Sequence, residues 1–120
     1  MCAVKHILVV DDDGLMLSLM TKALSDYHVT VARDGEEALH IAGPETPLDL
    51  LITDYLMQSM MGDELLGRLR EQRPNLKALI ITGHGDTLAR ELPEWWRAEA
   101  HLAKPFSIAV LRDRVARLIG

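Results

Sequence analysis

Cysteine is nearly absent from this 120-residue chain. Cys2 is the single one, so neither an intramolecular disulfide nor a cysteine-based metal site can form. That usage fits a reducing compartment. A cationic excess is missing too. Thirteen Lys and Arg stand against eighteen Asp and Glu, for a net charge of −5 with His neutral. A chain this acidic lacks the clustered cations that displace counterions from phosphates, which argues against non-specific nucleic-acid binding. No apolar run approaches the roughly 20 residues that span a bilayer. Met1 to His6 leave no room for a signal-peptide core before strand-like sequence begins. Repeats, low-complexity stretches and linkers are also lacking. What remains is ordinary globular composition, 48% apolar, too apolar for disorder. The length is that of one domain, enough to bury about two thirds of the surface of the unfolded chain. The expectation is a soluble, cytoplasmic, single domain over residues 1–120.

The hydrophobic pattern alternates in kind. Short apolar runs stand at Ile7 to Val10, Val29 to Ala32, Leu48 to Thr53, Ala78 to Thr82 and, weakly, His101 to Ala103. Between them lie stretches with helical spacing. Met16, Leu19, Met20, Ala23 and Leu24 share one face, Leu65, Leu66 and Leu69 another, and Ile108, Leu111, Val115, Leu118 and Ile119 a third. Strands alternating with helices predict βαβ units and a parallel sheet. The runs at Ile7 to Val10 and Ala78 to Ile81 are apolar throughout, as a central parallel strand covered on both faces requires. Five strands and five helices fill the chain. Right-handed crossovers then favour a doubly wound sheet of strand order 2-1-3-4-5, the flavodoxin-like arrangement. Such sheets bind ligands outside the carboxyl ends of their strands, near the switch in winding direction.

The residues at those ends carry the chemistry. The first strand runs into Asp11-Asp12-Asp13, the third into Asp54, the fourth into Thr82-Gly83 and the fifth into Lys104-Pro105. Converging carboxylates repel one another unless a cation neutralises them, and a hard divalent ion such as Mg²⁺ is the natural partner for oxygen ligands. A carboxylate beside Mg²⁺ is also a nucleophile toward phosphorus, giving an aspartyl phosphate. The Lys104 ammonium and the Thr82 hydroxyl would then help neutralise the equatorial oxygens of the transferred group. Asp13 is expected to cap the first helix, since Asp is a favoured N-cap.

With these residues in place the sequence resembles the receiver domain of two-component response regulators, from Lys5 to Ile119. The resemblance rests on Ile7-Leu8-Val9-Val10-Asp11-Asp12-Asp13, Leu51-Ile52-Thr53-Asp54-Tyr55-Leu56-Met57, Gly62, Ile81-Thr82-Gly83 and Lys104-Pro105-Phe106, in that order and spacing. It implies that Asp54 is the phosphoacceptor. It implies that Asp12, Asp54 and the main-chain carbonyl of Leu56 hold Mg²⁺ directly and Asp11 through a water. Lys104 and Thr82 would contact the phosphoryl group. The implied donor is the phosphohistidine of a sensor histidine kinase or a histidine phosphotransfer protein. The implied output surface is the face of the fourth helix, fifth strand and fifth helix, with a monomer or a phosphorylation-dependent dimer both compatible.

Some positions depart from the family pattern. Gln58 follows Met57 where the family often has proline, His101 stands where Tyr or Phe commonly reports the switch, and Glu99-Ala100 replaces a small Gly-Ala pair. Leu56 and His84 occupy positions that tune the lifetime of the phosphoryl group in the family, and an apolar Leu56 predicts slow self-dephosphorylation. Trp95 and Trp96 follow Pro93 near the end of the fourth helix, either as packing or as an interface, where Trp is enriched. Two rival readings exist. Asp11-Asp12-Asp13-Gly14 also matches the signature of haloacid-dehalogenase-type phosphatases, with Asp11 as nucleophile and Asp13 as general acid. That reading leaves Asp54 and Lys104-Pro105 unexplained. The other rival is a receiver-like interaction module that is never phosphorylated.

Overall fold

The structure, a computed structural model, describes residues 4–120; Cys2 lies outside the described residues. The elements in chain order are β1 (His6–Val10), α1 (Gly14–Ala23), β2 (His28–Ala32), α2 (Gly35–Ile41), β3 (Leu50–Asp54), α3 (Gly62–Arg70), β4 (Lys77–Thr82), α4 (Gly85–Glu91), α5 (Pro93–Ala98), β5 (Ala100–Ala103) and α6 (Ile108–Ile119). The five strands form one parallel sheet in the order 2-1-3-4-5, as the apolar runs predict.

Alternation along the strands splits the core in two. Leu8, Val10, Leu51 and Ile80 point to the face covered by α2 and α3, with Trp95 and Trp96 packed against its margin. Ile7, Val9, Leu50, Ile52, Leu79 and Ile81 point to the face covered by α1 and α6. The central strands β1, β3 and β4 are therefore buried on both sides, which is why their sequences are apolar without alternation.

Two expectations about helices are corrected. The buried face of α1 is Leu17, Met20 and Ala23, with Leu24 just beyond. Leu19 is 45% exposed and Leu15 84% exposed. Five leucines and methionines within the six residues 15–20 make the phase of this helix ambiguous in sequence; packing against the sheet selects the Leu17 face. The predicted fourth helix is two helices. Pro93 has no N–H to continue the ladder, so α4 ends at Glu91, and Pro93 opens α5 as a pre-organised first residue. Trp95 and Trp96 thus belong to a separate short helix. No helix among the described residues is long and apolar enough to cross a membrane.

Local signals position the loops at the carboxyl edge. Asp13 is the N-cap of α1, its Oδ1 accepting from the Leu15 N–H at 2.9 Å and the Met16 N–H at 3.4 Å. Asp34 caps α2 through the Glu37 N–H and Ser107 caps α6 through the Val110 N–H.

Candidate functional site

Four strands deliver their last residues to one edge. Asp11 leaves β1 with its N–H donated to the Ala32 carbonyl of β2, 3.2 Å. Its side chain is 1% exposed, and Oδ1 accepts the Asp13 N–H at 2.9 Å. Asp12 is exposed beside it. Asp54 ends β3, where its backbone pairs in register with Ile81 of β4. Asp11, Asp12 and Asp54 each offer a carboxylate oxygen within 4.8 Å of the others.

Lys104 completes the arrangement. Its N–H donates to the Thr82 carbonyl at 3.0 Å, extending the β4–β5 ladder by one residue and aligning the side chain with the edge. Its peptide bond to Pro105 is cis. The ammonium donates to Asp11 Oδ2 at 3.1 Å and to Asp54 Oδ2 at 3.0 Å. Burial pushes the Lys104 pKa down, but hydrogen bonds to Asp54 and Asp11, together with their charges, outweigh it, and the net shift is upward. Lys104 is therefore firmly cationic at neutral pH and is the charge that lets Asp11 and Asp54 share a site.

Thr82 is 1% exposed. Its hydroxyl oxygen accepts the His84 N–H at 3.0 Å, which leaves the O–H proton free to donate. The structure thus brings Asp11, Asp12, Asp54 and Lys104 into one cluster, with Thr82 beside them at the end of β4 and bonded within its own turn. Leu56 sits in the β3–α3 loop, 42% exposed. That loop folds back closely. The Gly62 N–H donates to the Tyr55 carbonyl at 2.8 Å, and a Cβ on Gly62 would lie 3.0 Å from the Asp54 carbonyl oxygen. Glycine at 62 is what allows the start of α3 to approach the backbone of Asp54. The Thr53 hydroxyl donates to the same carbonyl at 2.9 Å.

Sequence reasoning missed the aromatic layer beside the site. Tyr55 meets Trp95 with ring centroids 5.6 Å apart. Trp96 stacks on His101 at 3.7 Å with 14° between the rings. Gly85 gives Trp96 its room, since a Cβ there would lie 3.2 Å from the indole. The Pro93 break was the legible signal, because it rotates α5 independently of α4. Burial lowers the His101 pKa, and the Arg114 charge lowers it further, so the stacked imidazole is neutral at neutral pH. Glu99, out of pattern in sequence, is explained by Arg70, whose guanidinium holds it with contacts of 2.6 and 3.0 Å.

The site and sheet together define an α/β protein with an acidic, lysine-bridged carboxyl edge. The chain belongs to the response regulator receiver domain family, whose model matches residues 7–116. The chain is similar to the response regulator receiver protein CpdR of Brucella abortus (strain 2308), 34% identical over 96% of this chain and 97% of CpdR. It is equally similar, at 34% identity over 96% of this chain, to the alkaline phosphatase synthesis transcriptional regulatory protein PhoP of Bacillus subtilis (strain 168). It spans only 48% of the length of PhoP. Among solved structures, the chemotaxis protein CheY4 of Vibrio cholerae superposes with a TM-score of 0.85 at 28% identity, covering 97% of this chain and 99% of CheY4.

Proposed function

We propose that this receiver domain is a phosphorylation switch with Asp54 as phosphoacceptor. The observation that carries the reading is the Asp54 carboxylate held 3.0 Å from the Lys104 ammonium at an edge shared with Asp11 and Asp12. Three carboxylate oxygens within 4.8 Å of one another form a hard, all-oxygen donor set, and that chemistry fits Mg²⁺. Asp12, Asp54 and the Leu56 carbonyl are the direct ligands in this reading, with Asp11 acting through water. When bound, the ion would neutralise phosphoryl oxygens.

The remaining work falls to the chain. An Asp54 carboxylate oxygen attacks the phosphorus of a phosphohistidine on a sensor kinase or phosphotransfer protein. The P–N bond breaks, and its electron pair leaves with the imidazole, which a proton then restores to neutrality. Lys104 turns from its bridge between the carboxylates to the new phosphoryl oxygens, and the Thr82 hydroxyl donates its free proton to one of them. Hydrolysis reverses the modification: water attacks phosphorus and the Asp54 carboxylate departs. The domain thus catalyses only its own phosphorylation and dephosphorylation. Movement of Thr82 is passed to His101 and the face of α4, α5, β5 and α6, which meets an output partner, as a shift between two populated states.

A haloacid-dehalogenase-type reaction is not favoured, because the Asp13 carboxylate is committed to the N-cap of α1 instead of being poised as a general acid. The test is intact-protein mass after incubation with Mg²⁺ and acetyl phosphate. The native chain is expected to gain one phosphoryl group, about 80 Da for an aspartyl phosphate, and Asp54→Asn to gain none. An equal gain in the variant overturns the assignment of Asp54. No gain in the native chain, even from a phosphorylated histidine phosphotransfer protein, marks a pure interaction module.

A further inference from the structure

At the opposite end of the sheet two imidazoles converge. His6 opens β1 and His28 opens β2, and the two are paired in register. Their Nδ1 atoms lie 3.2 Å apart, with ring centroids 4.6 Å apart and planes inclined by 53°. The backbone beneath them is pinned. The His28 N–H donates to the Lys5 carbonyl at 2.9 Å. The His6 N–H donates to Asp49 Oδ2 at 2.7 Å, and the His6 carbonyl accepts the Asp49 N–H at 2.8 Å. β1 is five residues long, so roughly 16 Å separates this pair from the aspartates at the strand's other end.

The separation of the two nitrogens matches a ligand bite. With Zn–N distances of about 2.0–2.1 Å and tetrahedral angles, two ligand nitrogens lie about 3.3 Å apart. We propose that His6 and His28 form a site for a borderline divalent cation, Zn²⁺ or Cu²⁺, through their two Nδ1 atoms. Each ring carries its proton on Nε2 in that state. His28 is exposed and His6 half-buried, so water completes the coordination. Imidazole nitrogen selects these ions, whereas Mg²⁺ requires oxygen. The two ends of β1 therefore choose different metals by donor type, and neither site depends on the other.

The test is calorimetric titration of the full chain with ZnCl₂ in excess Mg²⁺, which saturates the acidic edge. The native chain is expected to bind one Zn²⁺. His28→Gln, on an exposed edge-strand position, is expected to bind roughly tenfold more weakly or worse, with its melting temperature unchanged as a control for folding. His40→Gln, in exposed α2, and Cys2→Ser are expected to match the native chain. Cu²⁺ should bind more tightly than Zn²⁺. Absence of Zn²⁺ binding by the native chain would reduce the pair to a ring-to-ring hydrogen bond and overturn the proposal. Native affinity in His28→Gln, or an equal loss in His40→Gln, would overturn it as well.

Discussion

Lys104 is the cation shared by Asp11 and Asp54, and its removal should be felt twice. Lys104→Met keeps the aliphatic stem and deletes the charge. Asp11, almost wholly buried, would then face Asp54 with no compensating group. The side chain of Lys104 is 26% exposed, so water softens the loss, and a destabilisation of about 1–3 kcal/mol is expected in urea unfolding without Mg²⁺. Phosphoryl uptake from acetyl phosphate should fall as well, because the group proposed to neutralise the transferred oxygens is gone. A variant as stable and as readily phosphorylated as the native chain would remove Lys104 from the mechanism. Leu56 makes the opposite kind of contribution. Its exposed apolar side chain offers no group to orient a water for attack on the aspartyl phosphate, so the phosphorylated chain should persist. Leu56→Asn supplies a hydrogen-bonding group and should shorten the lifetime severalfold, read as loss of the phosphoryl mass with time. A native half-life of seconds, unchanged in the variant, would show that position 56 does not set the rate.

Between α5 and β5 the Trp96–His101 stack gives folding a pH dependence whose sign follows from its environment. Burial first, and the Arg114 charge second, place the His101 pKa in the folded chain below its ordinary value of 6.5. The unfolded chain therefore binds more protons as pH falls through that value, and folding stability should decline on acidification below about 6.5. His101→Phe keeps a ring on Trp96 and removes the titration, so the stability of the variant relative to the native chain should rise from pH 7.5 to pH 5. A difference independent of pH would place the stack outside this linkage. At this scale the limits of sequence reading are physical. The strands were legible because parallel strands buried on both faces are apolar without interruption. The edge residues Asp11, Asp12, Asp54 and Lys104 were legible because strand ends and winding order determine where they meet. The phase of α1 was not, since its apolar residues outnumber the positions its partner strands can cover. Glu99 and His101 were seen as departures from a pattern, but their partners Arg70 and Trp96 come from other elements, and no local spacing announces such contacts.

On the scale of the molecule, the proposed binding of a divalent ion at the acidic edge would make folding and ion binding one equilibrium. A ligand that binds only the folded chain stabilises it in proportion to the logarithm of its concentration, by about 2.7 kcal/mol at a hundredfold excess over its dissociation constant. For a domain of this size that corresponds to a rise in melting temperature on the order of 10 °C. Mg²⁺ should therefore raise the melting temperature of the native chain well above that in NaCl of equal ionic strength. Screening of the net charge of −5 is common to both salts, so it cancels in the comparison. Asp12→Ala removes a proposed ligand from the exposed side of the cluster without touching the Lys104 bridge, and it should abolish most of the Mg²⁺-specific rise. Lys104→Met should enlarge it, because in the native chain the ammonium already satisfies part of the charge the ion would meet. These two variants move the same observable in opposite directions, which generic loss of stability cannot do. If both responded to Mg²⁺ as the native chain does, the carboxylate cluster would be a structural ion-pair network and not a metal centre.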